Sequence, residues 1–340
     1  MRKIRIAQIG VNQNSHAVDV FNTIKNMPEI FEIVGYALVE DEREVCAGKL
    51  SAYEGYPELT LDEILSDPTI EAVTVETDEI HLTKYATMAV KAGKHIHAEK
   101  PGSPSLGDFE KMISLIKASD KVFHFGYMYR YNAYVAELIR DARAGRLGKI
   151  HSVEAQMNCI HEPEVRRWLS AFPGGMTFFL GCHLVDIILQ IQGMPKRIIP
   201  FNKSSAMGGE CGCDVGFAVF EYEDGVSFIK TSAVEQGGFL RRQVVVSGEG
   251  GTVELNPIER YVPEAGKGML VTDRRECIGK TPWHQPGVDS TSLPQDRYID
   301  MMCAFAAMVR GERENPYTPD YELALFKATL AACGQGDVSL

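Results

Sequence analysis

Lys100 stands at the end of a short run, His95-Ile96-His97-Ala98, immediately before Pro101, and a basic side chain at such a strand exit can hold or donate a proton. In an open parallel sheet, ligands bind beyond the carboxyl ends of the strands, so this position suits chemistry better than packing. Pro101 removes a backbone donor, restrains Lys100 to an extended conformation and admits a cis bond. Read alone, the lysine is a solvated residue of an αβ loop, because exposed lysines far outnumber reactive ones. A second set suited to proton transfer is Gly181-Cys182-His183-Leu184-Val185-Asp186, entered through Arg166-Arg167-Trp168 and Gly174-Gly175. His183 and Asp186 share one face of an apolar helix. There His183 either acts on a substrate proton or is a core histidine satisfied by Asp186.

A third set could hold phosphate. Gly10-Val11-Asn12-Gln13-Asn14-Ser15-His16 follows a buried-strand pattern and precedes a helix, the layout of a dinucleotide-binding turn. Gly10 makes the tight bend, while Asn12 and Ser15 stand where two further glycines are expected. Asn tolerates positive φ, and Ser can cap a helix or donate to a phosphate, so an anion site formed by Asn12, Asn14 and Ser15 remains open. After the next strand pattern, an acidic residue would hold a ribose. Leu38 takes the expected position, and Glu40 is the nearest candidate. The alternative is that Glu40, Asp41, Glu42 and Glu44 form the solvated first turn of a helix. Carboxylates here favour NAD over NADP, because they repel a 2′-phosphate.

The elements that would position these residues alternate up to about residue 125. Strand patterns at 4–9, 33–39, 72–76, 95–98 and 122–125 are separated by helical patterns over 16–26, 42–50, 80–92 and 105–118. Alternation of this kind predicts a parallel, doubly wound sheet. A helix over 133–144 then leads into a strand at 150–159, and the texture changes. Runs at 197–205, 215–222, 226–233, 241–248 and 251–255 follow one another, with a hairpin signal at Glu223-Asp224-Gly225. They predict an α+β domain with a mostly antiparallel sheet, one face covered by a helix over 181–192. Residues 257–296, rich in proline, glycine and charge, read as an excursion near the surface, and helices over 297–310 and 320–333 close the chain. The expected domains are therefore residues 1–125, a Rossmann dinucleotide-binding domain, and 126–340, an α+β domain for substrate binding and oligomerisation.

The chain has 340 residues, a formal net charge of −11 and a hydrophobic fraction of 45%. That charge opposes binding to nucleic acid or an anionic membrane, and the apolar fraction supports two cores. Neither a signal peptide nor a membrane-spanning stretch is read. The eight cysteines are scattered and suggest a reducing cytoplasm, and the one close pair, Cys211 and Cys213, lacks the partners of a metal site.

In order and spacing these pieces resemble the glucose-fructose oxidoreductase and inositol dehydrogenase family (Gfo/Idh/MocA) over nearly the whole chain. The motifs concerned are the Gly10 turn, Ala92-Gly93-Lys94-His95 leading to Glu99-Lys100-Pro101, Gly126-Tyr127-Met128-Tyr129-Arg130-Tyr131-Asn132, Gly145-Arg146-Leu147-Gly148-Lys149-Ile150, and Gly174-Gly175 with Gly181 to Asp186. The resemblance implies an α/β fold, with a Rossmann domain before an α+β domain whose broad open sheet mediates homodimers or homotetramers. It also implies NAD(P)-dependent oxidation or reduction of a sugar, inositol or related polyol, with Lys100 and His183 catalytic. Thr77, His81, Glu99 and Lys100 would then line the cofactor, and Tyr129, Arg130, Trp168, His183 and Asp186 the substrate. Phe179 departs from the pattern, because the family usually carries an aspartate four residues before the histidine, and Asp78 stands where a proline often follows the threonine. An apolar ring at 179 predicts a drier pocket in which burial lowers the pKa of Lys100 and His183. Two other functions stay open: a non-catalytic sugar- or nucleotide-sensing protein, and a non-redox lyase or glycosidase using tightly held NAD.

Overall fold

The structure is a computed structural model that describes residues 2–207, 209, 212–279, 282–284 and 286–336, and every count of elements refers to those residues. Two compact units result. The first comprises the chain up to Met128 together with Tyr298–Leu323, and the second comprises Tyr129–Arg297 and the chain from Ala324. The first unit thus runs three residues past the change of texture at 125 and takes back part of the C-terminal region.

The first unit alternates strand and helix in the order β1 (Ile4–Ile9), α1 (Ala17–Lys25), β2 (Phe31–Ala37), α2 (Glu42–Val45), α3 (Leu61–Ser66), β3 (Ala72–Val75), α4 (Leu82–Lys91), β4 (His95–Ala98), α5 (Leu106–Lys117) and β5 (Phe123–Phe125). All strand pairs are parallel, in the order β2-β1-β3-β4-β5. The central strands β1 and β3 are buried apart from Arg5 and therefore read as mainly apolar runs rather than alternating ones. Strand order reverses between β1 and β3, the place where open sheets of this kind bind ligands. Register decides what gathers there: Ile9 pairs with Val75 and Val75 with Ala98, so Gly10, Glu76 and Glu99 leave the sheet side by side. Local caps fix the helices, with a Thr60–Glu63 capping box on α3 and Ser105 on α5. The helix expected over 42–50 breaks after Val45 into a 3₁₀ turn, Ala47–Tyr53, where the Cys46 thiol donates to the Val11 carbonyl at 2.7 Å.

In the second unit α6 (Ala133–Arg143), capped by Asn132 at the amides of Tyr134 and Val135, precedes β6 (Ile150–Asn158). Then come α7 (Pro163–Trp168), α8 (Cys182–Gln192), β7 (Arg197–Lys203), β8 (Val215–Tyr222), β9 (Gly225–Ser232), β10 (Gln243–Gly248) and β11 (Gly251–Leu255). Short strands β12 (Arg260–Tyr261) and β13 (Leu270–Val271) pair with each other, and β14 (Asp273–Ile278) and β15 (Val288–Thr291) follow. The eight-stranded sheet has the order β15-β14-β11-β10-β6-β9-β8-β7 and is antiparallel except for β6 with β9. Alternate residues such as Ala218, Phe220, Ile229, Val244 and Val246 point into the core, and α8 packs on β6 and β9. The 257–296 excursion is in part sheet. Its strands escaped notice because Asp273-Arg274-Arg275-Glu276 and the exposed β15 carry the charge of a protected sheet edge in place of apolar alternation. Helices α9 (Ile299–Val309) and α10 (Pro319–Ala332) complete the chain, α10 being shared between the units. No helix among the described residues is long and apolar enough to cross a membrane.

Candidate functional site

The turn after β1 is built around one glycine. Gly10 has φ +89°, and a Cβ there would lie 2.6 Å from Thr77 Cβ and 2.7 Å from the Thr77 backbone, so no larger residue fits. Asn12 does not adopt the positive φ that would mimic a second glycine. Its buried side chain organises the loop instead: Oδ1 accepts from the amides of Asn14 (2.7 Å) and Ser15 (3.2 Å), while Nδ2 donates to Thr77 O (3.0 Å) and Glu79 Oε2 (2.8 Å). Lys49, unforeseen from the sequence, donates to the Asn12 carbonyl at 2.9 Å. Ser15 Oγ is buried without a hydrogen-bond partner among the described residues, and α1 has no side-chain cap. An orphaned hydroxyl beside an uncapped helix N-terminus fits an anionic group such as a pyrophosphate.

Two acids flank this turn. Glu40 is left-handed (φ +51°), and its carboxylate accepts from Lys84 Nζ at 2.5 Å and the Tyr85 hydroxyl at 2.7 Å, with His81 Nδ1 3.7 Å away. The hydrogen bond from Lys84, then that from Tyr85, holds its pKa below the usual carboxylate value. Glu40 and His81 are thus neighbours. Glu42 is no solvated helix residue: it is 3% exposed and accepts from Thr77 Oγ1 (2.6 Å) and Val39 N (2.9 Å). Burial pushes its pKa up to about 7 against those hydrogen bonds.

Lys100 is buried, at 2% exposure, so its strand exit is not a solvated loop. The Lys100–Pro101 bond is cis, and Lys100 Nζ lies 3.3 Å from Glu99 Oε1. Two further acids, Glu76 and Glu79, leave the end of β3 fully buried. Burial, then the charges of Glu99 and Glu79, drives Glu76 well above the carboxylate range, with Lys100 opposing. Burial likewise raises Glu79 to about 8, again opposed by Lys100. The surroundings of Lys100 are dry but rich in acid. The one sign of this in the sequence is the pair of acids closing an apolar strand at Glu76 and Glu79.

In the second unit a π-helical turn, Thr177–Gly181, runs into α8. Such turns carry one extra residue and recur at functional sites. Gly174 (φ +63°) and Gly175 (φ +49°) admit the chain, since a Cβ on Gly175 would lie 2.3 Å from Cys213 O. Phe179, on the π turn, packs edge-on against Trp168 at 5.0 Å and lies 6.3 Å from the His161 ring. Burial, followed by the charge of Arg242, lowers the pKa of His161, a residue the sequence did not single out. His183 is 1% exposed and meets the Tyr129 ring edge-on at 5.1 Å. The Tyr129 hydroxyl donates to Glu259 Oε2 at 2.8 Å, and Glu259 also takes two hydrogen bonds from Arg297. Asp186 receives Arg130 Nε and Nη2, both at 2.9 Å, and Gln190 Nε2 at 2.9 Å. The Arg130–Asp186 fork ties α8 to the 129–131 turn, which engages two groups expected to grip hydroxyls. Cys211 lies outside the described residues, and among the described residues no three His, Cys, Asp or Glu side chains are grouped to hold a metal.

Residues 4–127 match the oxidoreductase family with an NAD-binding Rossmann fold, and residues 134–254 match the GFO/IDH/MocA C-terminal domain. Myo-inositol 2-dehydrogenase of Thermotoga maritima is 28% identical over 208 residues, 59% of this chain and 61% of that protein. The 1,5-anhydro-D-fructose reductase of Ensifer adhaerens is 26% identical over 219 residues, 59% of this chain and 65% of that protein. The chain spans only 40–54% of the length of three uncharacterised oxidoreductases that it also matches. In fold it is similar to the WlbA dehydrogenase from Bordetella pertussis, solved in complex with NADH and UDP-GlcNAcA, with a TM-score of 0.76 at 18% identity over 100% of this chain and 99% of that one. With both of its domains matched in order by one family, the chain belongs to the Gfo/Idh/MocA family.

Proposed function

We propose that the protein is an NAD(P)-dependent oxidoreductase acting on a CH–OH group of a sugar, inositol or related polyol, with Lys100 and His183 in acid–base roles. The observation that carries this reading is the burial of Lys100 at the carboxyl end of a parallel sheet whose first turn needs glycine at position 10. Ser15, Asn12 and Asn14 would hold the pyrophosphate at the start of α1, with Glu40 facing the ribose and Thr77, His81 and Glu99 completing the cofactor site. The carboxylate of Glu40 favours NAD over NADP. A bound dinucleotide supplies the hydride acceptor or donor. Lys100 hydrogen-bonds the reacting oxygen and stabilises its alkoxide character, Glu99 orients the ammonium, and His183 takes or relays the proton. Tyr129 and Trp168 shape the substrate side, and Arg130 with Asp186 supports it. Relatives acting on myo-inositol and anhydrofructose support the polyol class.

The reading extends to a homodimer or homotetramer through the second unit's sheet. There Phe217 stacks on Phe228 and Phe201 is half exposed, an apolar patch that a second copy would cover. A cytoplasmic location accords with the scattered placing of the chain's cysteines. One observation favours the sensing alternative: Asn12 Oδ1 already occupies the Asn14 and Ser15 amides, which competes with a phosphate. Native mass spectrometry for retained dinucleotide, followed by a polyol panel read at the reduced-nicotinamide absorbance, separates the two. Turnover supports the oxidoreductase; binding without turnover of any polyol supports the sensor.

A further inference from the structure

The Asn12 amide uses its whole hydrogen-bonding capacity on two neighbours at once. Oδ1 accepts two amides of the turn, and Nδ2 donates to Thr77 O and Glu79 Oε2. Glu79 is completely buried, and its other oxygen, Oε1, has no hydrogen-bond partner among the described residues. Lys100, Glu99 and Asp78 act on it, and it acts in turn on Glu76 and Lys49. Glu76, Glu79 and Glu99, all buried, therefore share the buried ammonium of Lys100 as a neighbouring cation. A dry site does not hold three uncompensated carboxylates, so protons must be shared within it.

We propose that Asn12 is a positioning residue linking the phosphate turn to the acidic cluster around Lys100, so that a dinucleotide bound at the turn drives proton uptake by Glu79. The inference rests on the nucleotide reading above. A pyrophosphate on the Asn14 and Ser15 amides displaces Asn12 Oδ1, which loosens the Nδ2 bond that favours ionised Glu79. The added negative charge acts in the same direction. Burial holds the Glu79 carboxyl at about 8, so it keeps its proton at pH 6 and gives up part of it by pH 8. Nucleotide binding therefore takes up protons at pH 8, and its affinity falls as pH rises through this range.

The test is calorimetric titration of the full chain with NADH at pH 6 and pH 8, in buffers of differing ionisation heat, scored as protons taken up per NADH bound. Expected for the unaltered protein is uptake of up to about half a proton at pH 8 and almost none at pH 6. Glu79→Gln abolishes the uptake, and Asn12→Ala, which keeps the carboxyl but cuts the link, reduces it at least about twofold. Because uptake is counted per mole bound, a weaker affinity does not obscure it, and either variant suffices if the other does not fold. Undiminished uptake in Glu79→Gln or Asn12→Ala, or no uptake by the unaltered protein at pH 8, overturns the coupling and leaves the nucleotide reading standing. Absence of NADH binding at both pH values overturns that reading, and the coupling with it.

Discussion

Glu42 shows how one buried side chain shapes the chemistry of its neighbourhood. Its carboxyl has an ordinary value of 4.5 and is held at about 7 in the fold, so the folded state favours the protonated form. That contribution is complete below the ordinary value and is lost as pH rises through about 7. Urea denaturation at pH 5 and pH 8 should show the protein losing up to about 3 kcal/mol between these values from this group, and Glu42→Gln should flatten the decline. Phe179 belongs to the same scale. An aspartate there would sit among the rings of Trp168 and His161, so Phe179→Asp is expected to cost about 2 kcal/mol in stability and to lower kcat/KM. A rise in kcat/KM would mean that the ring only blocks an older arrangement. The placing of Lys100 at a strand exit and of His183 at a helix start was legible in the patterning. Glu42, Glu76 and Glu79 were not, since a buried acid has no periodic signature and composition argues against it.

At the scale of elements, the parallel sheet was legible almost strand for strand, because its apolar runs are bounded by glycines and caps. What escaped were the six-residue helices α3 and α7, too short to show a period, and elements whose cause is not periodicity. The π turn at Thr177–Gly181 keeps a helical apolar pattern while adding one residue, and β14 and β15 hide their pairing behind edge charges. Gly10 marks the tight bend in the sequence, yet the role of Asn12 is a matter of hydrogen bonds that spacing does not reveal. Two glycines separate close approach from mere flexibility. Gly10→Ala forces a Cβ against the Thr77 backbone at positive φ and should cost at least about 2 kcal/mol while abolishing dinucleotide binding. Gly107→Ala, in the first turn of α5 with open space around it, should instead stabilise by about 0.5–1 kcal/mol in thermal melts.

For the whole molecule, the change from alternating to consecutive strands was visible as a change of texture. The return of Tyr298–Leu323 to the first unit was not, because amphipathic helices carry no mark of the core they join. The proposed role of Lys100, buried at the strand exit, is to handle a proton in a dinucleotide-dependent oxidation or reduction of a polyol. It is tested most directly by comparing the unaltered protein with Lys100→Met for NAD binding and for turnover of a cyclic polyol at the reduced-nicotinamide absorbance. The expected result is retained NAD binding with kcat lowered about 10²- to 10⁴-fold in the variant. Turnover undiminished by the loss of Lys100 would contradict the claim.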